Sequence, residues 1–349
     1  MDSALAAPGL RRRPAPECPL CRTSGRSLYR GLADRLAGTP GLWDVNVCPQ
    51  SSCGLLWLDP MPLDEDLGLA YSGDYYTHQD DPPLTWPRRA YRWLRRGYLA
   101  RRFGYHAEAV PLWHQVIGSL IVLHPRRRAD MEFTAMHLTA VPGGRLLEVG
   151  CGSGQALRVL GELGWDAEGV DFDRAAVERA RARGLAVRLG SLREQGYAAE
   201  SFDAVVMSHL IEHVPDPLLV LEECRRVLKP GGRLVILTPN AGSWGHAVFQ
   251  EHWFALEIPR HLVVFDPRNL RRLVESAGLR VRRLVTTSRW AREIWIRSRE
   301  IRRTGRVEEA RRRLAGERTA GLAFEAAEAA RLLANPAIGE EILLVAARE

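Results

Sequence analysis

Arg145-Leu-Leu-Glu148-Val-Gly150-Cys151-Gly152-Ser-Gly154-Gln155 is the stretch that decides how the rest of the chain is read. Its first half is short and apolar and reads as a buried strand. Its second half places glycine at 150, 152 and 154. Leu157, Leu160 and Leu163 then recur with helical spacing until Gly164 closes the segment. Strand, glycine loop and helix open a βαβ unit that takes a nucleotide-like ligand. Glycine lets backbone approach the ligand, and the helix N-terminus offers free N–H donors. A dinucleotide loop needs G-x-G-x-x-G; here Leu157 stands where the third glycine, counted from Gly152, would fall. The spacing therefore disfavours a nicotinamide oxidoreductase.

Outward from this loop, strands and helices alternate. Strands are expected at 166–172, 185–189, 202–207, 233–237, 279–286 and 341–346. Asp173 and Gly184 bracket one helix, Asp216-Pro217 and Lys229-Pro-Gly-Gly232 a second, and Asp266-Pro267 and Gly278 a third. The expected fold is α/β, a doubly wound seven-stranded, mostly parallel sheet, with a helical insertion over 289–335. Ligands of such sheets bind at the carboxyl ends of the strands, where strand order reverses. Asp171 ends the second strand. A carboxylate there can accept both ribose hydroxyls of an adenosine, since Asp173 already serves as the helix cap, and Phe172 can cover the adenine face.

Four features in order carry a resemblance: E-V-G-C-G-S-G, Asp171, the run Ser201-Phe-Asp to Glu212-His213-Val-Pro-Asp-Pro217, and Leu228-Lys-Pro-Gly-Gly to Pro239-Asn240. Together they resemble the class I S-adenosylmethionine-dependent methyltransferases over about 145 to 287, with the last strand at 341–346. The resemblance implies a Rossmann-like methyltransferase fold. It implies that Glu148, Gly150, Cys151, Gly152, Gly154 and Gln155 cradle the methionine part of the cofactor and that Asp171 and Phe172 hold the adenosine. Ser191 stands where the family often has an acidic residue for the adenine amino group, and the Leu192 backbone N–H can serve there instead. Ser208 and His209 follow the fourth strand, over the methyl donor.

Methyl transfer from a sulfonium is an in-line displacement, and alignment alone can supply about 7–11 kcal/mol. A hydroxyl or carbon nucleophile also needs a base, typically worth about 100- to 10,000-fold. His209, His213 and His261 are the expected bases, with Glu212 and Glu257 as further carboxylates. His261 lies in the aromatic, His-rich run Trp244 to Phe265, and long loops of this kind are more often functional than filler. Its P-R-H-L-x-x-F stretch resembles a motif of one bacterial subgroup of that family. The resemblance implies acceptor contacts from Trp253, Glu257, Arg260 as an anion anchor, and His261.

Residues 1–16 are rich in Ala, Pro and Arg and read as a disordered tail. Over 17–60, Cys18-Pro-Leu-Cys21 and Cys48-Pro-Gln-Ser-Ser-Cys53 supply four thiolates at spacings that suit a structural zinc ribbon, the second pair being wider than usual. C-G-L-x-x-L-x-P followed by Tyr71, Tyr75 and Tyr76 resembles the N-terminal segment of a bacterial methyltransferase subgroup with a Cys-rich module. Residues 61–140 read as linker, including Asp81-Pro-Pro-Leu84, and helical cap, with a helix over 130–140 leading into the catalytic domain at 141–349. Between 86 and 130 ten arginines stand against Glu108 and Asp130, interleaved with Trp86, Tyr91, Trp93, Tyr98, Phe103 and Trp113. A cap with arginine stems packed on apolar surface is the first reading. A surface for anionic or lipid-linked substrates is the second, and nucleic acid a remote third.

The net charge is +7, and of 49 basic residues only Lys229 is a lysine. No apolar run approaches the ~20 residues of a membrane span. No apolar stretch follows Arg11 to Arg13 as in a signal peptide, so a cytoplasmic protein is expected, with peripheral membrane contact left open. The expected activity is methylation of a small-molecule acceptor: a sugar, a lipid-linked glycan or a secondary metabolite. A non-catalytic binding module is opposed by the intact loop and Asp171. A nucleic-acid methyltransferase using the zinc ribbon and basic segment lacks a base-modifying motif.

Overall fold

The computed structural model describes residues 10–71, 86–307 and 315–349. Asp81 to Leu84, Tyr75 and Tyr76 lie outside the described residues. At the N-terminus β1 (Arg12–Arg13), β2 (Arg26–Leu32), β3 (Trp43–Val47), β4 (Leu56–Asp59) and β5 (Met61–Pro62) form the Cys-rich module. β1 pairs with β5, and the Ala15 carbonyl accepts from Trp57 Nε1 at 2.7 Å. Residues 10–16 are thus held against the module rather than forming part of a free tail.

The cap follows as α1 (Trp86–Phe103), α2 (Leu112–Ser119) and α3 (Pro125–Thr134). The helix expected over 130–140 ends at Thr134. Met136 and His137 adopt left-handed φ of 46° and 54°, and the His137 N–H turns back to the Glu132 carbonyl at 3.0 Å.

Then come β6 (Arg145–Val149), α4 (Gln155–Glu162), β7 (Asp166–Asp171), α5 (Arg174–Ala182), β8 (Ala186–Leu189), β9 (Phe202–Ser208), α6 (Pro217–Val227), β10 (Leu228–Pro239), α7 (Trp244–Phe249), β11 (Val263–Val264), α8 (Pro267–Ser276) and β12 (Arg280–Thr287). α9 (Ala291–Thr304) and α10 (Ala315–Ala334) make the insertion, and β13 (Glu341–Ala347) closes the chain. The caps read from the sequence are present. Asp173 accepts from Ala175 N, Asp216 from Leu219 N, and Asp266 forms a capping box with Asn269.

The central sheet has seven strands in the order β12-β13-β10-β9-β6-β7-β8, parallel from β10 to β8, with β13 antiparallel to both its neighbours. The central strands β6, β9, β10 and β13 are buried on both faces, with successive residues turned to opposite sides. Leu147, Val149, Val205, Met207, Leu234 and Ile236 pack toward α6, α8 and the N-terminal module. Leu146, Ala204, Val206, Val235 and Leu237 pack toward α4, α5 and the cap. The order reverses between β6 and β9, which fixes where a ligand site opens.

The module is not a separate body. β11 pairs antiparallel with β4, so a strand from the His-rich run completes the sheet β11-β4-β3-β2. Asn269 Nδ2 also donates to the Cys53 carbonyl at 3.1 Å.

Candidate active site

Over the carboxyl ends of β6, β7, β9 and β10 lies a cavity of about 700 Å3. Its floor is the glycine loop. Gly150, Gly152 and Gly154 have φ of 75°, 52° and 77°, backbone that L side chains rarely adopt. A Cβ on Gly152 would meet nothing within 4 Å, so the loop leaves open space at its crest. Asp171 pins the loop: Oδ2 accepts from Gly152 N at 2.7 Å and Oδ1 from Asp173 N at 2.9 Å. Burial lifts the Asp171 carboxyl above its ordinary range. Glu148 is buried, and its Oε2 has no hydrogen-bond partner among the described residues. Burial, then the charge of Asp171, pushes Glu148 up to about 8. Two buried carboxylates beside an open crest suit a ligand that brings positive charge and hydroxyl donors.

Cys151, Gln155, Phe172, Ser208, His209, His213, Glu257 and His261 also line the cavity. Ser191 and Leu192 do not. The Ser191 N–H is taken by Glu194 Oε2 at 2.7 Å, and Leu192 is buried in the core.

The imidazoles differ in state. His209, at a left-handed φ of 54°, lies with Nε2 2.9 Å from Glu341 Oε1 and Nδ1 3.4 Å from Glu212 Oε1. Burial opposes its charge, but the two carboxylates outweigh it and lift His209 to about 9. Holding the proton in this way runs against the expected base role of His209. His213 Nδ1 lies 2.7 Å from the Tyr71 hydroxyl and 3.0 Å from the Arg260 carbonyl. Burial and then His261 lower His213 to about 4, leaving it neutral. His261 Nδ1 lies 2.8 Å from the Ala255 carbonyl, and its Nε2 sits 4.0 Å from Glu212 Oε1 and 3.8 Å from Glu257 Oε2. The two rings meet edge to face at 4.6 Å. Glu212, Glu257, His213 and His261 thus form one cluster, of which all but the buried Glu212 line the cavity.

Two expected acceptor contacts fall elsewhere. The Arg260 side chain is fully buried and donates from Nη1 and Nη2 to Asp34 at 2.9 and 2.8 Å, and from Nη1 to the Ala70 carbonyl at 3.1 Å. It ties the module to the catalytic domain and does not reach the cavity as an anion anchor. Trp253 is a core residue whose indole N–H donates to Glu340 Oε2 at 3.1 Å. Sequence reasoning gave no role to Tyr71, Arg289, Trp290 or Glu341. Tyr71 meets His213 and packs edge-on against Phe172 at 5.6 Å. Arg289 Nε donates to Glu341 Oε2 at 3.0 Å and Trp290 Nε1 to Glu341 Oε1 at 3.1 Å. Position was the available signal: β12 ends, and antiparallel β13 begins, at the edge where the cavity opens.

At the Cys-rich end the four sulfurs lie within 4.8 Å of one another, with Cys18–Cys53 at 3.7 Å and Cys21–Cys48 at 3.4 Å. Bonds of about 2.3 Å to a tetrahedral zinc put sulfurs about 3.8 Å apart, so the set fits that ion and is too wide for disulfides.

Known proteins are similar to parts of this chain. A family model described as a methyltransferase domain matches residues 123–284. The ubiquinone biosynthesis O-methyltransferase of Methylococcus capsulatus is 31% identical over 191 residues, covering 51% of this chain and 79% of that protein. Its namesake in Xanthomonas campestris pv. campestris is 33% identical over 159 residues, 42% of this chain and 65% of that protein. Among solved structures, the geranyl diphosphate C-methyltransferase of Streptomyces coelicolor A3(2) aligns with a TM-score of 0.43 and 19% identity, covering 64% of this chain and 78% of that one. The chain belongs to the S-adenosylmethionine-dependent methyltransferases.

Proposed function

We propose that the cavity holds S-adenosylmethionine over the glycine loop and methylates a hydroxyl of a small-molecule acceptor, a sugar, lipid-linked glycan or secondary metabolite. The observation that carries this reading is the pairing of Asp171 with the buried, unpartnered Glu148 Oε2 beneath an open loop crest. Each Asp171 oxygen spends one acceptor site on backbone N–H and keeps another for a ribose hydroxyl. Glu148 meets the cofactor's ammonium end, Cys151 and Gln155 border it, and Phe172, partly exposed, covers the adenine face. Of Ser191 and Leu192, only the Leu192 backbone N–H stays a candidate for the adenine edge, since the Ser191 N–H is taken by Glu194. Ser208 and His209 lie beside the methyl donor, His209 as a fixed cation.

The cofactor supplies a methyl group on a sulfonium. The chain's own part is to align the acceptor and take its proton. We assign proton acceptance to His261 Nε2: Nδ1 is fixed by the Ala255 carbonyl, and Glu212 and Glu257 stabilise the imidazolium that forms. His213, held by Tyr71, is its neutral neighbour and shapes the same wall. The Cys-rich module carries one structural zinc on Cys18, Cys21, Cys48 and Cys53; four thiolates leave no position for chemistry. The names of the two curated relatives support an oxygen acceptor. The free cysteines fit a cytoplasmic enzyme.

Calorimetry tests the reading. Micromolar binding of S-adenosylhomocysteine and no binding of NAD is expected; absence of S-adenosylhomocysteine binding rejects it.

A further inference from the structure

Helix α2 is built inside out. The side it turns to α1 is small and polar: His114 and Gly118 are buried, and Gln115 Nε2 donates to the Ala107 and Val110 carbonyls at 3.2 and 2.9 Å. Two glycines bring the helices into backbone contact. A Cβ on Gly97 would lie 2.4 Å from the His114 carbonyl oxygen, and one on Gly118 2.4 Å from Tyr98 N. The His114 ring stacks on Trp93 at 3.9 Å.

The outward side is apolar. Leu112, Trp113, Val116, Ile117 and Leu120 share one helical face, and they are 67, 60, 49, 38 and 60% exposed. Val122 and Leu123, at 47 and 81%, extend the patch into the next turn. A surface helix of a globular protein normally turns these faces the other way. An apolar patch with a polar rim marks an interaction site. The chain that flanks it is cationic: Arg96, Arg101, Arg102 and Arg127 are exposed, and between 86 and 128 there is one acidic residue, Glu108.

We propose that this face of α2 and the turn after it bind the surface of an anionic lipid bilayer. Leu120, Val122, Leu123 and Trp113 enter the headgroup boundary while the flanking arginines pair with lipid phosphates. An apolar strip with one-signed flanks is the composition of a helix that lies in a membrane interface. The outward face of α2 carries no polar group to specify a protein partner, and a second copy of the chain would set two arginine-rich flanks against each other. The same helix α1 that backs the patch lines the cavity with Arg92 and Arg95, so the bound face and the cavity share a wall. The proposal stands on the cap alone and does not depend on the methyl-transfer reading.

Flotation of the full chain with vesicles tests it, one set phosphatidylcholine alone and one about a third phosphatidylglycerol. Binding at least about tenfold stronger to the anionic vesicles is expected, reduced by about 0.5 M salt. The double variant Leu120→Asp, Leu123→Asp should lose at least about tenfold of that binding, while its circular dichroism spectrum and melting temperature match the parent and show an intact fold. The proposal is overturned if the parent does not float with anionic vesicles, or if the double variant floats equally well. It is also overturned if ultracentrifugation shows a dimer that the double variant abolishes while vesicles stay unbound, which would put a second copy on this face.

Discussion

Arg260 and Asp34 form a bidentate ion pair with both side chains fully buried, joining residues 226 apart in the chain. The pair holds Asp34 down to about 2: burial alone would raise it, but hydrogen bonds and charge from Arg260 outweigh that cost. Removing one partner strands a buried charge. Asp34→Ala should therefore lower unfolding stability by about 3–5 kcal/mol, read from urea denaturation. Had Arg260 served an acceptor, the same substitution would leave stability unchanged and act on KM alone.

Asp171→Ala should weaken S-adenosylhomocysteine binding tenfold or more, about 1.4 kcal/mol, by calorimetry. Unchanged affinity would remove Asp171 from the cofactor site.

Glu148 gives a pH signature. Its folded value, about 8, is above the ordinary 4.5, so the folded state keeps a proton that the unfolded state gives up. Its contribution to stability is complete below the lower value and is lost as pH rises through the upper one. Glu148→Gln cannot ionise. Its melting temperature relative to the parent should rise by at least about 2 °C between pH 6 and pH 9; a constant difference would contradict the raised value.

His261→Ala should lower kcat about 100-fold or more with a competent acceptor, and S-adenosylhomocysteine affinity should stay within about twofold. Full activity would clear His261 of the base role.

Fresh protein should contain about one zinc per chain by elemental analysis, and chelation should lower the melting temperature. Less than half an equivalent would count against the four-cysteine site.

The sheet was legible because local rules agree with one another. Apolar strands, the Asp caps at 173, 216 and 266, and the glycine loop all point to one topology. The glycine-loop side of the cavity was legible for the same reason: Glu148, the loop and Asp171 lie within one βαβ unit. The other half comes from contacts distant in sequence. Nothing near Arg260 announces Asp34, and nothing near His209 announces Glu341, 132 residues on, so one read as an anion anchor and the other as a base. Trp253 reads as an acceptor contact until Glu340 is seen to accept a hydrogen bond from its indole N–H. Tyr71 sat in a stretch quoted for its tyrosines, yet its partner His213 lies 142 residues away.

The pairing of β11 with β4 has a practical corollary for anyone cutting the gene. A fragment beginning near residue 141 would keep every residue of the cofactor loop yet leave Val263 and Val264 as a bare edge, with Trp57 and Asp34 gone from their contacts. Such a fragment should precipitate, and His261, two residues before that edge, would lose its anchorage. For this enzyme the smallest useful piece includes the cysteines.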